Sequence, residues 1–168
     1  MTVQISEPLP AIKERDLSVA ELRIGVIFPE QLQSFLLKTN GGRPNPNQFD
    51  FKDTQDRADA SCVEWFTGIY ANNDTLAVPY SYERDIEAAA RVFKIKEQRL
   101  PVELLAIGRD GLGNLICIAV SGVHLGKIFF WDHENEVDPD EDEQPLDWWR
   151  NVCLVANSFN EFLDKLHD

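Results

Sequence analysis

The sequence predicts an α+β fold, a mainly antiparallel sheet laid out as a meander with helices packed against it. Apolar runs at Leu104 to Ile107, Asn114 to Val120 and Lys127 to Trp131 are separated only by the turn-forming stretches 109–113 and 121–126, the spacing of neighbouring antiparallel strands. Helical periodicity appears before and after these runs rather than alternating with single strands, as a parallel sheet would require. A chain of 168 residues is long enough to bury one substantial core, and no linker or internal repeat divides it.

Taken in order, residues 1–17 read as a loose N-terminal arm, with Pro8 and Pro10 and little periodicity, and residues 18–168 as a single domain. Ser18-Val19-Ala20-Glu21 fits a capping box that opens a short helix through about Ile24. Pro29 is suited to a first helical position, Leu32, Phe35 and Leu36 follow at helical spacing, and Asn40-Gly41-Gly42 ends the helix. Arg43 to Asp59, polar and interrupted by Pro44 and Pro46, reads as a surface loop. Val63 to Tyr70, rich in aromatic and β-branched residues, reads as a strand. A third helix is expected from Ser81, with Ile86, Ala89, Ala90 and Phe93 on one face, ending before Pro101. After the meander, Asn151 to Val155 adds a further strand. Ser158-Phe159-Asn160-Glu161 is a second capping box, and Phe159, Phe162, Leu163 and Leu166 form the apolar face of a closing helix.

The composition narrows the functional classes. Sixteen Lys and Arg against 29 Asp and Glu give a formal charge of -13, which repels phosphate backbones and attracts a basic protein partner. No run approaches the roughly 18 apolar residues that span a bilayer, and Met1 to Pro10 lacks the layout of a secretory signal, so a cytoplasmic protein without membrane contact is expected. Asn73-Asp74-Thr75 matches a glycosylation pattern that carries no weight in that compartment. Cys62, Cys117 and Cys153 form an odd, widely spaced set with no Cys-x-x-Cys pair, and the latter two sit in apolar runs as small core residues.

Four segments in order carry a resemblance: Ile27-Phe28-Pro29 leading to Phe35-Leu36-Leu37-Lys38-Thr39-Asn40-Gly41-Gly42; Leu104 to Asn114; Phe129-Phe130-Trp131-Asp132-His133-Glu134; and Ala156-Asn157-Ser158-Phe159-Asn160-Glu161-Phe162-Leu163. Together they resemble the SUKH superfamily, and within it the Smi/Knr branch, which includes a fungal cell-wall-assembly regulator and many bacterial immunity proteins. The resemblance runs from about Ser18 to Leu166. It implies an α+β fold and a binding role, since bacterial members typically neutralise a cognate polymorphic toxin, often a nuclease or deaminase. A regulatory scaffold of the cell-wall-regulator type is the alternative. The resemblance attaches no catalytic residues to these motifs.

The residues themselves give no catalytic, cofactor or metal constellation. The acidic run Asp132, Glu134, Glu136, Asp138, Asp140, Glu141, Asp142 and Glu143 contains no Lys or Arg, yet it fails the calcium-loop template. Begun at Asp138, the sixth position is Glu143 where Gly is needed and the twelfth is Trp149; begun at Asp132, the sixth is Val137. His133 has no partner at ligand spacing and reads as a hydrogen-bonding residue, while Ser121 and Ser158 lack a nucleophile-elbow setting. Gly111 and Gly113 suit a tight hairpin rather than a phosphate cradle, because a strand and not a helix follows. The Trp148-Trp149 pair beside the acidic run matches the division of labour at interfaces, where aromatic anchors supply affinity and charges supply steering. These ten residues, the eight carboxylates with Trp148 and Trp149, are the expected contact surface for a basic partner, a toxin domain on the family resemblance.

Overall fold

The computed structural model describes residues 3–71 and 83–168. Within them the chain forms β1 (Gln4–Ser6), α1 (Glu14–Ile24), α2 (Glu30–Thr39), β2 (Arg43–Asn45), β3 (Gln48–Lys52), β4 (Ala58–Cys62), β5 (Trp65–Phe66) and α3 (Ile86–Ala89), which runs directly into a π-helical stretch, Ala90–Lys96. β6 (Leu104–Arg109), β7 (Leu115–Ala119), β8 (Ile128–Trp131), β9 (Val152–Ala156) and α4 (Phe159–Lys165) follow. The α+β class and the antiparallel meander hold. Strands β5 to β9 make one five-stranded sheet in sequence order, every neighbour antiparallel, and β1–β2 and β3–β4 are separate two-stranded ribbons.

The central strand β7 reads Leu-Ile-Cys-Ile-Ala and is buried at every position, because both faces of the sheet are covered. Alternation along the strands sorts the side chains into two packed layers. Leu105, Ile107, Ile116, Ile118, Ile128 and Phe130 face α1, α2, α4 and the β3–β4 ribbon. Leu104, Ala106, Leu115, Cys117, Phe129 and Trp131 face Ala89 of α3, Phe93 of its π-helical continuation and Leu100 in the segment that follows. The larger layer is knit by rings meeting edge to face: Phe35 lies 5.3 Å from Phe66 and 5.0 Å from Phe159, and Phe49 lies 5.2 Å from Phe162.

Helix α2 stops where the sequence indicates. Asn40 takes a left-handed φ of 49°, and its side chain replaces a turn of backbone: Nδ2 donates to Pro10 O (2.6 Å) and Ile69 O (2.9 Å), while Oδ1 accepts from Ile69 N (2.7 Å). Gly68 passes so close beneath that a Cβ there would lie 2.4 Å from Asn40 O, so only glycine fits. At α4, Ser158 Oγ accepts from Glu161 N as expected, but Glu161 Oε2 reaches one residue further back, to Asn157 N.

Several expectations are corrected. Residues 3–16 are not loose: Ile5 pairs with Pro44, Leu9 and Ile12 are buried, and α1 begins at Glu14. The cap of α1 is therefore not Ser18, whose hydroxyl bonds Glu14 O within the helix; Asp16 Oδ2 accepts from Lys13 N instead. Glu21, expected to close a capping box, accepts from Phe28 N (2.7 Å) and Gln33 Nε2 (2.9 Å) and so ties α1 to α2. Pro29 is the cap of α2 rather than its first residue. The expected loop from Arg43 to Asp59 holds β2, β3 and the start of β4. Phe49 and Phe51 point inward at alternate positions, and Pro44 is tolerated because its ribbon has a free edge. The expected strand from Val63 to Tyr70 shortens to Trp65–Phe66, with Glu64 N and Thr67 N still donating to β6 and Gly68 bridging to Asp85 as the chain turns past Asn40. Ser81 and the Asn73-Asp74-Thr75 triplet lie outside the described residues; the third helix opens at Ile86, capped by Asp85, whose Oδ1 accepts from Glu87 N.

Candidate protein-binding surface

The acidic run leaves the sheet at the end of β8. Asp132 caps a short 3₁₀ turn, His133–Asn135, accepting from Glu134 N (3.0 Å) and from Asn135 Nδ2 (2.6 Å). His133 is fixed by Asn114 Oδ1, which lies 3.0 Å from its backbone N and 2.9 Å from its Nδ1. Asn114 Nδ2 donates to Asp110 Oδ2 at 2.7 Å, so the oxygen faces His133 and the imidazole proton sits on Nδ1. Asp110 also accepts from Leu112 N, Asn114 N and Ser61 Oγ, which makes this chain the scaffold of the β6–β7 hairpin. His133 is thus a hydrogen-bonding residue, and Gly113 beneath its ring takes a φ of +100° that favours glycine.

Beyond the turn the carboxylates divide into held and free. Glu136 is clasped by Arg99, and Val137 is buried. Asp142 accepts from Asp138 N (2.7 Å) and pairs with Arg150 Nη1 (2.6 Å). The Arg150 guanidinium, then the backbone N–H, hold the Asp142 carboxyl below its ordinary range. Glu134, Asp138, Asp140, Glu141 and Glu143 are exposed, and Asp138 Oδ1 accepts from Asp140 N. The free charges therefore sit on a loop with internal structure. Arg150 is the staple: besides Asp142, its other nitrogens donate to Asn135 O (3.2 Å) and Glu136 O (2.6 Å). It thereby fixes the acidic loop to the turn that carries the tryptophans.

Those tryptophans are half-buried and serve differently. The Trp149 ring lies 5.3 Å from Phe129 and 5.5 Å from His124, closing the smaller packed layer. Trp148 joins Ile95, Leu100, Pro101, Val102 and Leu146 in lining a groove of about 740 Å³, with Glu103 and Asp147 also in its lining. Val102 is 77% exposed and Ile95 50%, so the groove presents apolar surface to solvent. Its wall is braced by Lys94, whose ammonium donates to Val102 O and Leu104 O; burial lowers the pKa of that amine. Sequence reasoning missed Ile95, Val102, Lys94, Arg99 and Arg150. The exposed apolar Ile95 and Val102 flanking Leu100-Pro101 were the available signal.

The other reactive side chains are tied into the fold. Cys117 is fully buried and its thiol pKa is pushed far up; burial, then the carboxylates of Asp53, Asp132 and Asp59, push Cys153 up to about 11. Ser158 caps α4. Among the described residues no three His, Cys, Asp or Glu are grouped to hold a metal ion, and no helix is long and apolar enough to cross a membrane.

The fold and this surface define a small α+β domain whose outward features are an apolar groove and a stapled acidic loop. The chain belongs to the SMI1 / KNR4 family (SUKH-1), whose sequence pattern matches residues 11–165. It is also similar to the SPbeta prophage-derived uncharacterized protein YokK of Bacillus subtilis (strain 168), 28% identical over 166 residues that cover 95% of this chain and 77% of that protein.

Proposed function

We propose that this chain is a non-catalytic, cytoplasmic immunity protein that neutralises a cognate bacterial toxin domain, of nuclease or deaminase type, by binding it directly. The observation that carries the reading is the apolar groove at Ile95, Val102 and Trp148 fastened through Arg150 to a loop that exposes Glu134, Asp138, Asp140, Glu141 and Glu143. An apolar anchor flanked by one sign of charge suits a basic protein surface, and a nuclease or deaminase is basic where it meets nucleic acid. Membership of a family whose bacterial members typically neutralise toxins supports the same reading.

The test is co-expression with the product of the adjacent gene. Rescue of growth from that product, with recovery of a stoichiometric complex from purified components, is the expected result. Growth arrest that this chain leaves unrelieved, with no complex formed, favours the regulatory-scaffold alternative.

A further inference from the structure

A second cleft, of about 400 Å³, opens between the turn joining β3 to β4 and the ends of β8 and β9. Its walls combine three kinds of group. Phe51 and Phe130, ring centroids 4.6 Å apart, give it an aromatic side. Asp59 and Asp132 give it carboxylates; Asp132 is bonded to a backbone N–H and an amide, Asp59 to a backbone N–H, and neither meets a cation among the described residues. Asn151 is 2% exposed, and its Nδ2 donates to Asp132 O at 2.6 Å while its Oδ1 has no hydrogen-bond partner among the described residues. A buried amide oxygen without a donor is costly, and it marks a place where a donor is wanted.

The arginines of the chain itself do not fill this role. Arg57 is paired with Asp53 at 2.7 Å, and Arg150 is committed to Asp142 and two carbonyls. A bare metal ion is less suited to the cleft, because among the described residues no three His, Cys, Asp or Glu are grouped to hold one. A planar cation with several donors matches these groups in kind: it stacks on an aromatic face, pairs with carboxylates and, once the Asn151 amide turns its sealed oxygen toward the cleft, donates to it.

We propose that this cleft is a socket for a guanidinium, the side chain of an arginine presented by a partner protein. The socket rests on the reading of the chain as a binder of a basic protein and specifies one contact of that interface. It lies apart from the apolar groove, since the two share no lining residue. The partner therefore touches the domain on both sides of the Arg150 staple, whose residue lines the cleft.

The socket is testable without the partner. Isotope-labelled full chain is titrated by NMR with the peptide acetyl-Gly-Arg-Gly-amide and with its citrulline counterpart, which keeps the shape and removes the charge. Saturable shifts at the amides of Thr54, Asn151 and Cys153 with the arginine peptide alone are expected. Loss of a charge-assisted bond in Asp59→Asn should weaken that response about tenfold. Asp59 is exposed, so this variant keeps the fold; Asn151→Ser, checked by its spectrum, should weaken it as well. Equal responses to the two peptides, no response, or a response to calcium chloride in their place overturns the socket. A complex with the toxin that forms while the arginine peptide is silent removes the socket and leaves the function standing. A socket that binds arginine in a chain that ignores the toxin does the reverse.

Discussion

Arg99 meets Glu136 along two parallel hydrogen bonds, Nε to Oε2 at 2.7 Å and Nη2 to Oε1 at 2.8 Å. The guanidinium also lies over Phe93 (5.1 Å) and Trp131 (5.3 Å), so the pair pins the first part of the acidic loop onto the smaller packed layer. Both side chains are about a third exposed, which limits the stability the pair supplies. Arg99→Met should cost about 1 kcal/mol in chemical denaturation and should raise hydrogen exchange at Val137 more than at the centre of β7. Unchanged exchange at Val137 would mean that the loop is held without this clasp.

Leu36 and Phe162 are fully buried on the inner faces of α2 and α4, within one packed layer. An unpaired carboxylate at either place costs several kcal/mol, a large share of a typical stability of roughly 5–15 kcal/mol. Leu36→Asp and Phe162→Asp should each abolish the cooperative thermal transition followed by circular dichroism. A native melt for either variant contradicts the helix faces described above.

Asp85 gives a pH dependence of opposite sign to that of Asp142. Burial raises its pKa, with the nearby Glu87 charge adding to the effect and the Glu87 N–H opposing it. The folded state therefore favours the protonated acid. The stabilising contribution of that proton is full below the unfolded pKa of about 4 and is lost as pH rises through the folded pKa. Asp85→Asn keeps a capping side chain and does not titrate, so it should gain melting temperature relative to the native chain between acid and neutral pH. A constant difference across that range would show that Asp85 is charged equally in both states.

Under the proposed function, the exposed carboxylates are the ones that steer the partner. Asp142 is engaged by Arg150 and Glu136 by Arg99, whereas Asp140, Glu141 and Glu143 are exposed. Replacing those three with Asn, Gln and Gln should slow association with the proposed toxin partner at low salt and flatten its salt dependence, since exposed charges act at long range and are screened beyond about 8–10 Å. Trp148→Ala should instead hasten dissociation by removing a short-range apolar contact. Association rates that ignore both salt and the triple substitution would reduce the loop to a solvated one.

The elements legible in the sequence were those whose signal is local. The meander strands carry unbroken apolar runs because the sheet is covered on both faces, and Asn40-Gly41-Gly42 announces its positive φ directly. The β3–β4 ribbon was hidden because Pro44, Asn45, Pro46 and Asn47 look like loop chemistry, and only Phe49-Asp50-Phe51 hinted at alternation. The start of α1 was misplaced because Lys13 caps through its backbone, with Asp16 supplying the oxygen, and no cap-forming side chain marks the position. The acidic run and the tryptophan pair were visible as composition. Their connection through Arg150 and Arg99 was not, because it joins residues 8 to 37 positions apart through space.

Trp148 and Trp149 stand side by side in the chain and both line the groove, yet Trp149 also packs its ring against Phe129 and His124. A lineage that exchanges one partner for another can therefore vary positions 95, 102 and 148 without disturbing either packed layer. Novelty at position 149 has to be matched by compensating change at 124 and 129. Free drift at the outer positions, with concerted replacement at the inner ones, is the pattern this division imposes on descent.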